Sequence, residues 1–359
     1  MRKRIAIVYN KPQPSRYDST HEVKAMLGVL RCVTAVHRAL IELGYGVDII
    51  PLLPPYEQVR STLRSLDSGL VFNLFEGFAG EPQTEGIVPE ILEEIRMPYT
   101  GCPASALRIA LDKVNAKKLL ITAGIPTPDF QVLSPQKLNI FRLRYPCIVK
   151  PINEDASHGI SAESIVYDFN SLEKRVKVIC DAYGEQALVE NFVDGREFNI
   201  TVLGNSRCTV LPISEIAYSL PPEMPAILTF DAKWEPKSIY YKGTQVVCPA
   251  KITNREQMSI HEKALAAYHL LGCSGYARVD MRMDKKGDLY VIELNPNPDI
   301  SFESGASRQA VAAGMRYTQF IDRIMKLAWE KKKNDDKNKA RSIHRPKGVI
   351  TNIRKHARI

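Results

Sequence analysis

The stretch GYARVDMRMDKKGDLYVIELNPNPDIS, residues 275–301, decides how the chain is read. Two runs of alternating apolar and polar residues flank Lys285-Lys286-Gly287-Asp288, whose composition is that of a tight turn, so the segment predicts a β-hairpin. A turn centred on Lys286-Gly287 sets Asp280 opposite Glu293 and Arg278 opposite Asn295. Side chains on a strand alternate with period two, so these four residues share one face, and Val279, Met281, Ile292 and Leu294 share the other. Two readings of the polar face stand side by side. It is either an ordinary solvated face, or a site in which something positive lies between the facing carboxylates; two acids and an amide oxygen suit magnesium.

Outward from the hairpin, Lys150 ends the apolar run Cys147-Ile148-Val149 and leads into Pro151-Ile152-Asn153-Glu154-Asp155-Ala156-Ser157-His158-Gly159. A lysine there either snorkels or reaches a nucleotide phosphate beside Ser157 and the loop amides. Glu190 to Glu197 reads as strand, turn and strand: an ordinary hairpin, or one whose free backbone groups beside Phe192 read an adenine edge while Glu190 or Glu197 holds a ribose or a metal.

Before these segments the chain alternates strand and helix. Strands at Arg4 to Tyr9, Gly46 to Pro51 and Leu70 to Leu74, with helices at Glu22 to Leu43 and Pro55 to Leu66, predict a small open parallel α/β sheet with its ligand loops at the strand ends. A helix from Asp112 to Ala123 ends at Gly124, and Ile125-Pro126-Thr127-Pro128 leads into an α+β region of two lobes with a cleft between them. Its expected strands are Phe130 to Leu133, Pro146 to Lys150, Ala187 to Phe192, Phe198 to Leu203, Thr209 to Ile216 and Gln245 to Cys248; its expected helices are Ser171 to Tyr183 and Arg255 to Leu271. Tyr218 to Lys242, rich in proline and aromatics, reads as a mobile loop over the cleft. The division expected is 1–111, 112–195, 196–330 and a tail at 331–359.

Charge and composition narrow the class. Of 49 Lys and Arg, 11 lie after residue 330, against 2 of 40 acids, so the body holds 38 of each and is neutral. The basic tail reads as a disordered, solubilising segment or as a tether for RNA, a membrane surface or another partner; a nucleic-acid-binding protein is the reading outside the enzyme class. Seven scattered cysteines with no Cys-x-x-Cys pair point to a reducing cytoplasm and away from zinc or iron–sulfur sites. The apolar run after Arg2-Lys3-Arg4 is too short for a signal peptide, and nothing approaches a membrane span.

Taken together and in order, these pieces resemble the D-alanine–D-alanine ligases of the ATP-grasp superfamily. The resemblance runs from about Ile5 to Leu327. It rests on Tyr99-Thr100-Gly101, Asp112-Lys113 with Ala123 to Pro128, Val149-Lys150-Pro151, Glu190 to Gly204, Cys248-Pro249-Ala250, and Arg278-Val279-Asp280 with Glu293-Leu294-Asn295. It implies a pre-ATP-grasp α/β domain followed by a two-lobed ATP-grasp domain, and a ligase that uses ATP to join a carboxylate to an amine through an acyl phosphate. Its substrates would be small amino acids or carboxylates, and its assembly a homodimer. Asp280, Glu293 and Asn295 would hold two magnesium ions, with manganese as an alternative. Lys113, Lys150 and Lys233 would bind phosphates, together with Ser157 of the loop. Glu190, Phe192 and Val193 would receive adenine and Glu197 the ribose; Arg278 would stabilise an oxyanion, and Ser304 would contact the second substrate's carboxylate.

The departures fall at substrate contacts. Asn10-Lys11-Pro12 replaces the family's glycines, and Thr20 stands where an amine-orienting Glu belongs, leaving Asp18 or Glu22 as substitutes. Glu76-Gly77 replaces His-Gly, Gly80-Glu81-Pro82-Gln83 replaces Gly-Glu-Asp-Gly, Asp155-Ala156 replaces Gly-Ser, and Asp299 replaces a glycine. An added acid at 155 is unfavourable near phosphate unless it points away. The pattern implies the same chemistry on a D-alanine pair or on a related, different substrate pair.

Overall fold

The protein is described here by a computed structural model that covers residues 4–13, 28–78, 81–184 and 186–343, with 335 and 337–343 as backbone only. Three sheets organise it. The first is parallel, with strands β1 (Arg4–Asn10), β2 (Gly46–Leu52) and β3 (Leu70–Leu74) in the order β2-β1-β3. The run Ile5-Ala6-Ile7-Val8 is continuous because both faces of β1 are buried. Ile5 and Ile7 meet helix Gly28–Glu42 and the C-terminal helix Tyr317–Ile343, while Ala6 and Val8 meet Val59, Leu63, Ile91 and Leu92. Asn10 and Glu76 therefore stand at the carboxyl ends of the strands, where open sheets offer loops to ligands.

The second sheet holds β4 (Phe130–Leu133), β5 (Cys147–Pro151), β6 (Ile165–Val166) and β7 (Ala187–Asn191), antiparallel in the order β4-β7-β5-β6. Helix Phe169–Tyr183 covers it; Asp168 and Ser171 form its capping box, and Gly184 ends it in the left-handed region at φ 67°. The third sheet runs β11 (Thr244–Val247), β10 (Ser214–Tyr218), β8 (Gly195–Gly204), β12 (Gly275–Asp284), β13 (Leu289–Asn295), with β9 (Cys208–Val210) paired to β8. Helices Lys113–Thr122 and Asn254–Leu270 bury Leu120, Ile260, Ala264 and Ala267 against it.

Four expectations needed correction. The strand expected over Thr209 to Ile216 is two strands, β9 and β10, parted at Leu211-Pro212-Ile213, where the proline offers no ladder N–H. Tyr218 to Lys242 is not an irregular loop: it contains helices Phe230–Trp234 and Ile239–Gly243, capped by the Thr229 and Ser238 hydroxyls. Its Ile227, Ala232 and Tyr240 pack with Ile165. In the β12–β13 hairpin, Asp280 does pair Glu293 and Arg278 pairs Asn295, but a bulge follows, so that Met281 pairs Val291. Ile292 is the extra residue and lines the cavity between the sheets, whereas Met281, which also borders the cavity, is buried in the core with Val279, Val291 and Leu294. Finally, helix Tyr317–Ile343 carries regular structure into the expected tail, and Lys331 lies 4.7 Å over the Tyr99 ring. Residues 344–359 are outside the described set, as are 14–27 with Asp18, Thr20 and Glu22. Among the described residues no helix is long and apolar enough to cross a membrane.

Candidate active site

A cavity opens between the four-stranded and six-stranded sheets, lined from below by β12 and β13 and from above by β5, β7 and the loop 154–160. On its floor each acid of the hairpin already meets a cation. Arg278 donates to both oxygens of Asp280, at 2.7 and 2.8 Å, and the Asn199 amide adds a third bond at 2.8 Å. Across the ladder, Lys113 Nζ lies 2.9 Å from Glu293 Oε1. Burial by itself would raise the Glu293 carboxyl, yet the Lys113 and Lys150 charges bring it down to about 2. The same pairings act in reverse on the cations: against burial, Glu293 and Asp155 raise Lys113, and Asp280 raises Arg278. Asn295 lines the cavity with them, its Oδ1 accepting from the Asn297 N–H at 2.8 Å. Two carboxylates and an amide oxygen on one open face are hard donors that fit a divalent magnesium.

Helix Phe230–Trp234 brings Lys233 to the same cavity, where burial and the Arg278 charge lower its pKa. Above it, the loop after β5 holds Ala156 and Ser157 at φ 54° and 64°, in the left-handed region that residues with a Cβ seldom enter. Such backbone strain clusters at ligand sites. Gly159, at φ 68°, is needed there: a Cβ would come within 2.9 Å of the Tyr183 ring. Ser157 lines the cavity, but its hydroxyl donates to Leu228 O at 3.0 Å, so it joins the two loops as well as facing the cavity. Asp155 points inward. It stands 3.8 Å from Lys113, and burial together with the Glu293 charge raises its pKa.

At the far end Glu190, 1% exposed, is held between Lys150 at 3.0 Å and Lys117 at 3.2 Å. Lys117 escaped the reading of the sequence, although its spacing of four from Lys113 on one helix put it on the same face. Burial lowers its pKa to about 8. Phe192 and Val193 line the cavity, but the Phe192 N–H donates to Pro146 O at 2.9 Å and is not free to read a base. Glu197 accepts from Tyr218 OH and Arg282 Nη1, each at 2.8 Å. Arg282 was also missed, though it continues the face of Arg278 and Asp280 with period two.

Ser304 is not among the residues lining this cavity. It caps helix Gly305–Ala312, its hydroxyl accepting from the Ser307 N–H at 3.2 Å. Near the ends of β1 and β3 three other acids gather. Asn10 Oδ1 accepts from the Glu76 N–H at 2.9 Å, Asn297 donates to Glu85 at 2.7 Å, and Asp299 accepts from the Ser301 N–H at 2.7 Å. Glu76 and Asp299 are exposed and Glu85 is half-buried. Burial, then the charges of Asp299 and Asp155, raise the pKa of Glu76 to about 8; burial and Asp155 raise Glu85 also.

A family model described as D-ala D-ala ligase C-terminus matches residues 119–326. A D-alanine–D-alanine ligase of Carboxydothermus hydrogenoformans is 30% identical over 313 residues, spanning 84% of this chain and 93% of the relative. An uncharacterized protein of Sinorhizobium fredii is 36% identical over 261 residues, 73% of this chain and 75% of that one. Among solved structures, the Bacillus anthracis D-alanine–D-alanine ligase complexed with ATP superposes with a TM-score of 0.72 at 22% identity, covering 93% of this chain and 99% of that one. The VanG D-Ala:D-Ser ligase of Enterococcus faecalis gives 0.70 at 21% identity, covering 91% and 100%. The likeness to both structures establishes the fold.

Proposed function

The chain belongs to the D-alanine–D-alanine ligase family, and from that premise we propose that it is an ATP-dependent ligase that forms an amide bond between a small carboxylic acid and an amine. One observation carries the reading: Asp280, Glu293 and Asn295 meet Lys113, Lys150 and Lys233 in one cavity between two sheets. A triphosphate needs cations around its oxygens and hard oxygen donors for the metal that accompanies it, and this cavity offers both. Magnesium held by Asp280, Glu293 and Asn295, or manganese in its stead, would neutralise charge on the phosphates.

The chain's own residues account for the rest. The first substrate's carboxylate oxygen attacks the γ-phosphorus; the bond to the bridging oxygen of ADP breaks, leaving an acyl phosphate. Lys113, Lys150 and Lys233 offset charge that accumulates on the transferred group, and a lysine with a lowered pKa such as Lys233 sheds its proton more readily than an exposed one. The amine of the second substrate then adds to the acyl carbon, Arg278 faces the oxyanion, phosphate departs and the amine's surplus proton is lost. The packed segment over the cavity, with Leu228 tied to Ser157, keeps water from the acyl phosphate. Glu197 holds the ribose hydroxyls, while the adenine lies near Phe192 and Val193.

Glu76, Glu85 and Asp299 favour a second reading within the family, a substrate pair other than two D-alanines. Glu76 and Asp299 stand where the family has His and Gly, and a cluster of acids suits substrates that bring ammonium groups. Measuring ADP release across amino acids, dipeptides and their deaminated analogues, with mass spectrometry of the product, tests both readings. No nucleotide turnover with any pair would overturn the ligase assignment. A homodimer is expected on family grounds, and the mass in solution checks it.

A further inference from the structure

Arg282 is the most connected side chain of the nucleotide cavity outside the roles above. It is 6% exposed and lines the cavity. Nη1 donates to Glu197 Oε2 at 2.8 Å, Nη2 to Ala226 O at 2.9 Å and to Gly195 O at 3.2 Å, and the guanidinium carbon lies 4.8 Å from the centre of the Phe192 ring. Tyr218 OH donates to the same Glu197 Oε2 at 2.8 Å. Both bonds thus end on one carboxylate oxygen, and among the described residues none donates to Oε1. A carboxylate fixed at one oxygen by two donors presents the other in a set direction. Arg282 Nε is itself buried with no hydrogen-bond partner, an arrangement that native sites keep where a ligand or water completes it.

We propose that Arg282 is a positioning residue: it orients Glu197 toward the ribose hydroxyls and, through Ala226, ties the segment that carries Lys233 to that orientation. The inference rests on the nucleotide reading above. The guanidinium suits the task because its planar fork reaches three acceptors while its face rests on an aromatic ring, which a lysine ammonium does not do. Tyr218 opens the segment and Ala226 lies within it, so the segment is anchored twice to one carboxylate. Ribose recognition and the seating of Lys233 are therefore linked.

The test compares ATP with 2′,3′-dideoxy-ATP in steady-state ligation by the full chain, the parent beside Arg282→Met. In the parent, loss of the hydroxyls lowers kcat/KM by about tenfold or more, as expected for bonds to a charged acceptor. In Arg282→Met the KM for ATP rises by about the same factor, and the preference for ATP over the dideoxy nucleotide falls toward one. A general loss of structure would lower both nucleotides alike and leave their ratio unchanged; that result overturns the proposal. Where Arg282→Met does not fold, Arg282→Lys keeps the charge but not the three-way reach, and an undiminished ratio there overturns it equally. A parent that shows no preference for the ribose hydroxyls overturns the role of Glu197 and this inference with it; a parent that uses no ATP overturns the ligase reading itself.

Discussion

Glu293 and Glu76 carry the same carboxyl group, and they are driven in opposite directions. Around Glu293, in the hairpin, the chain supplies its own cations; burial would raise the acid, but Lys113 and Lys150 hold it near 2. Around Glu76, at the end of β3, burial is reinforced by Asp299 and Asp155, and the carboxyl rises to about 8. Under the proposed function, the difference separates two jobs. A site that meets a metal and a triphosphate keeps its acids ionised before the ligand arrives. A site that meets an ammonium leaves its acids short of positive charge, so the substrate brings what is missing.

The hardest blow to this contrast falls on the ionised end. Glu293→Gln removes the charge that Lys113 meets and that the proposed magnesium would share, while keeping the hairpin's shape, and ligation should fall by about a hundredfold to a thousandfold or beyond, the scale of losing one preorganised electrostatic group. Product formation and ADP release are the readouts, and near-normal turnover would break the assignment. Lys150→Met should cost less. Glu190 keeps Lys117 at 3.2 Å, so the fold holds while KM for ATP rises or turnover drops about tenfold, as for one lost charge-assisted bond. An enzyme that does not notice the change returns Lys150 to a purely structural place.

The protonated end is tested by Glu76→Gln. The specificity constant for an amine-bearing substrate should fall about tenfold, with ATP binding intact. The sign of the proton count sharpens this. Below pH 8 the Glu76 carboxyl keeps its proton, so an ammonium that docks against it drives that proton off. Binding in the parent should thus release protons between about pH 6 and 8, the window just below the raised pKa, and binding to Glu76→Gln should release fewer. Calorimetry in two buffers of different ionisation heat reads the difference directly; equal release by both proteins would place the ammonium elsewhere.

How much of this was legible follows the same divide. The hairpin's facing pairs were readable because strict alternation around a turn fixes which residues oppose. Its bulge was not, although Val291-Ile292 sets two apolar residues side by side where alternation asks for one. Lys150 was readable as a lysine closing an apolar strand, whereas Lys117 and Arg282 carry no local mark: their partners Glu190 and Glu197 lie 73 and 85 positions away. The loop over the cavity was placed correctly over the cleft but not its two helices, since five-residue helices held by a threonine and a serine cap leave little periodicity. The cluster of Glu76, Glu85 and Asp299 is assembled from the end of β3, a turn near 85 and the loop after β13, and no single segment announces it.

The smallest expected effect concerns Lys117, which like Lys233 ends below the ordinary lysine value because burial outweighs its carboxylate partner. Its folded pKa is about 8 against an ordinary value of 10.5. Below pH 8 the lysine is protonated in the folded and unfolded chain alike, and the fold bears the full cost of a buried ammonium, partly offset by Glu190. Between 8 and 10.5 the folded protein releases this proton while the unfolded chain still holds it, so the unfolded state binds more protons and stability must rise with pH across that window. Above 10.5 the cost has gone. Lys117→Met keeps most of the volume and has no proton to release, so the parent should gain on the variant as pH climbs from 8 to 10.5. The gain should amount to a few degrees in midpoint for a chain of this size, about 1.4 kcal/mol for every tenfold difference in proton affinity between the folded and unfolded chain. Thermal unfolding of both proteins at pH 7, 8, 9 and 10 measures it. A difference in midpoint that stays constant across the series, or moves the other way, would mean that Glu190 holds the Lys117 proton as firmly as Glu293 holds that of Lys113, and the nucleotide end would then contain no weakened cation except Lys233.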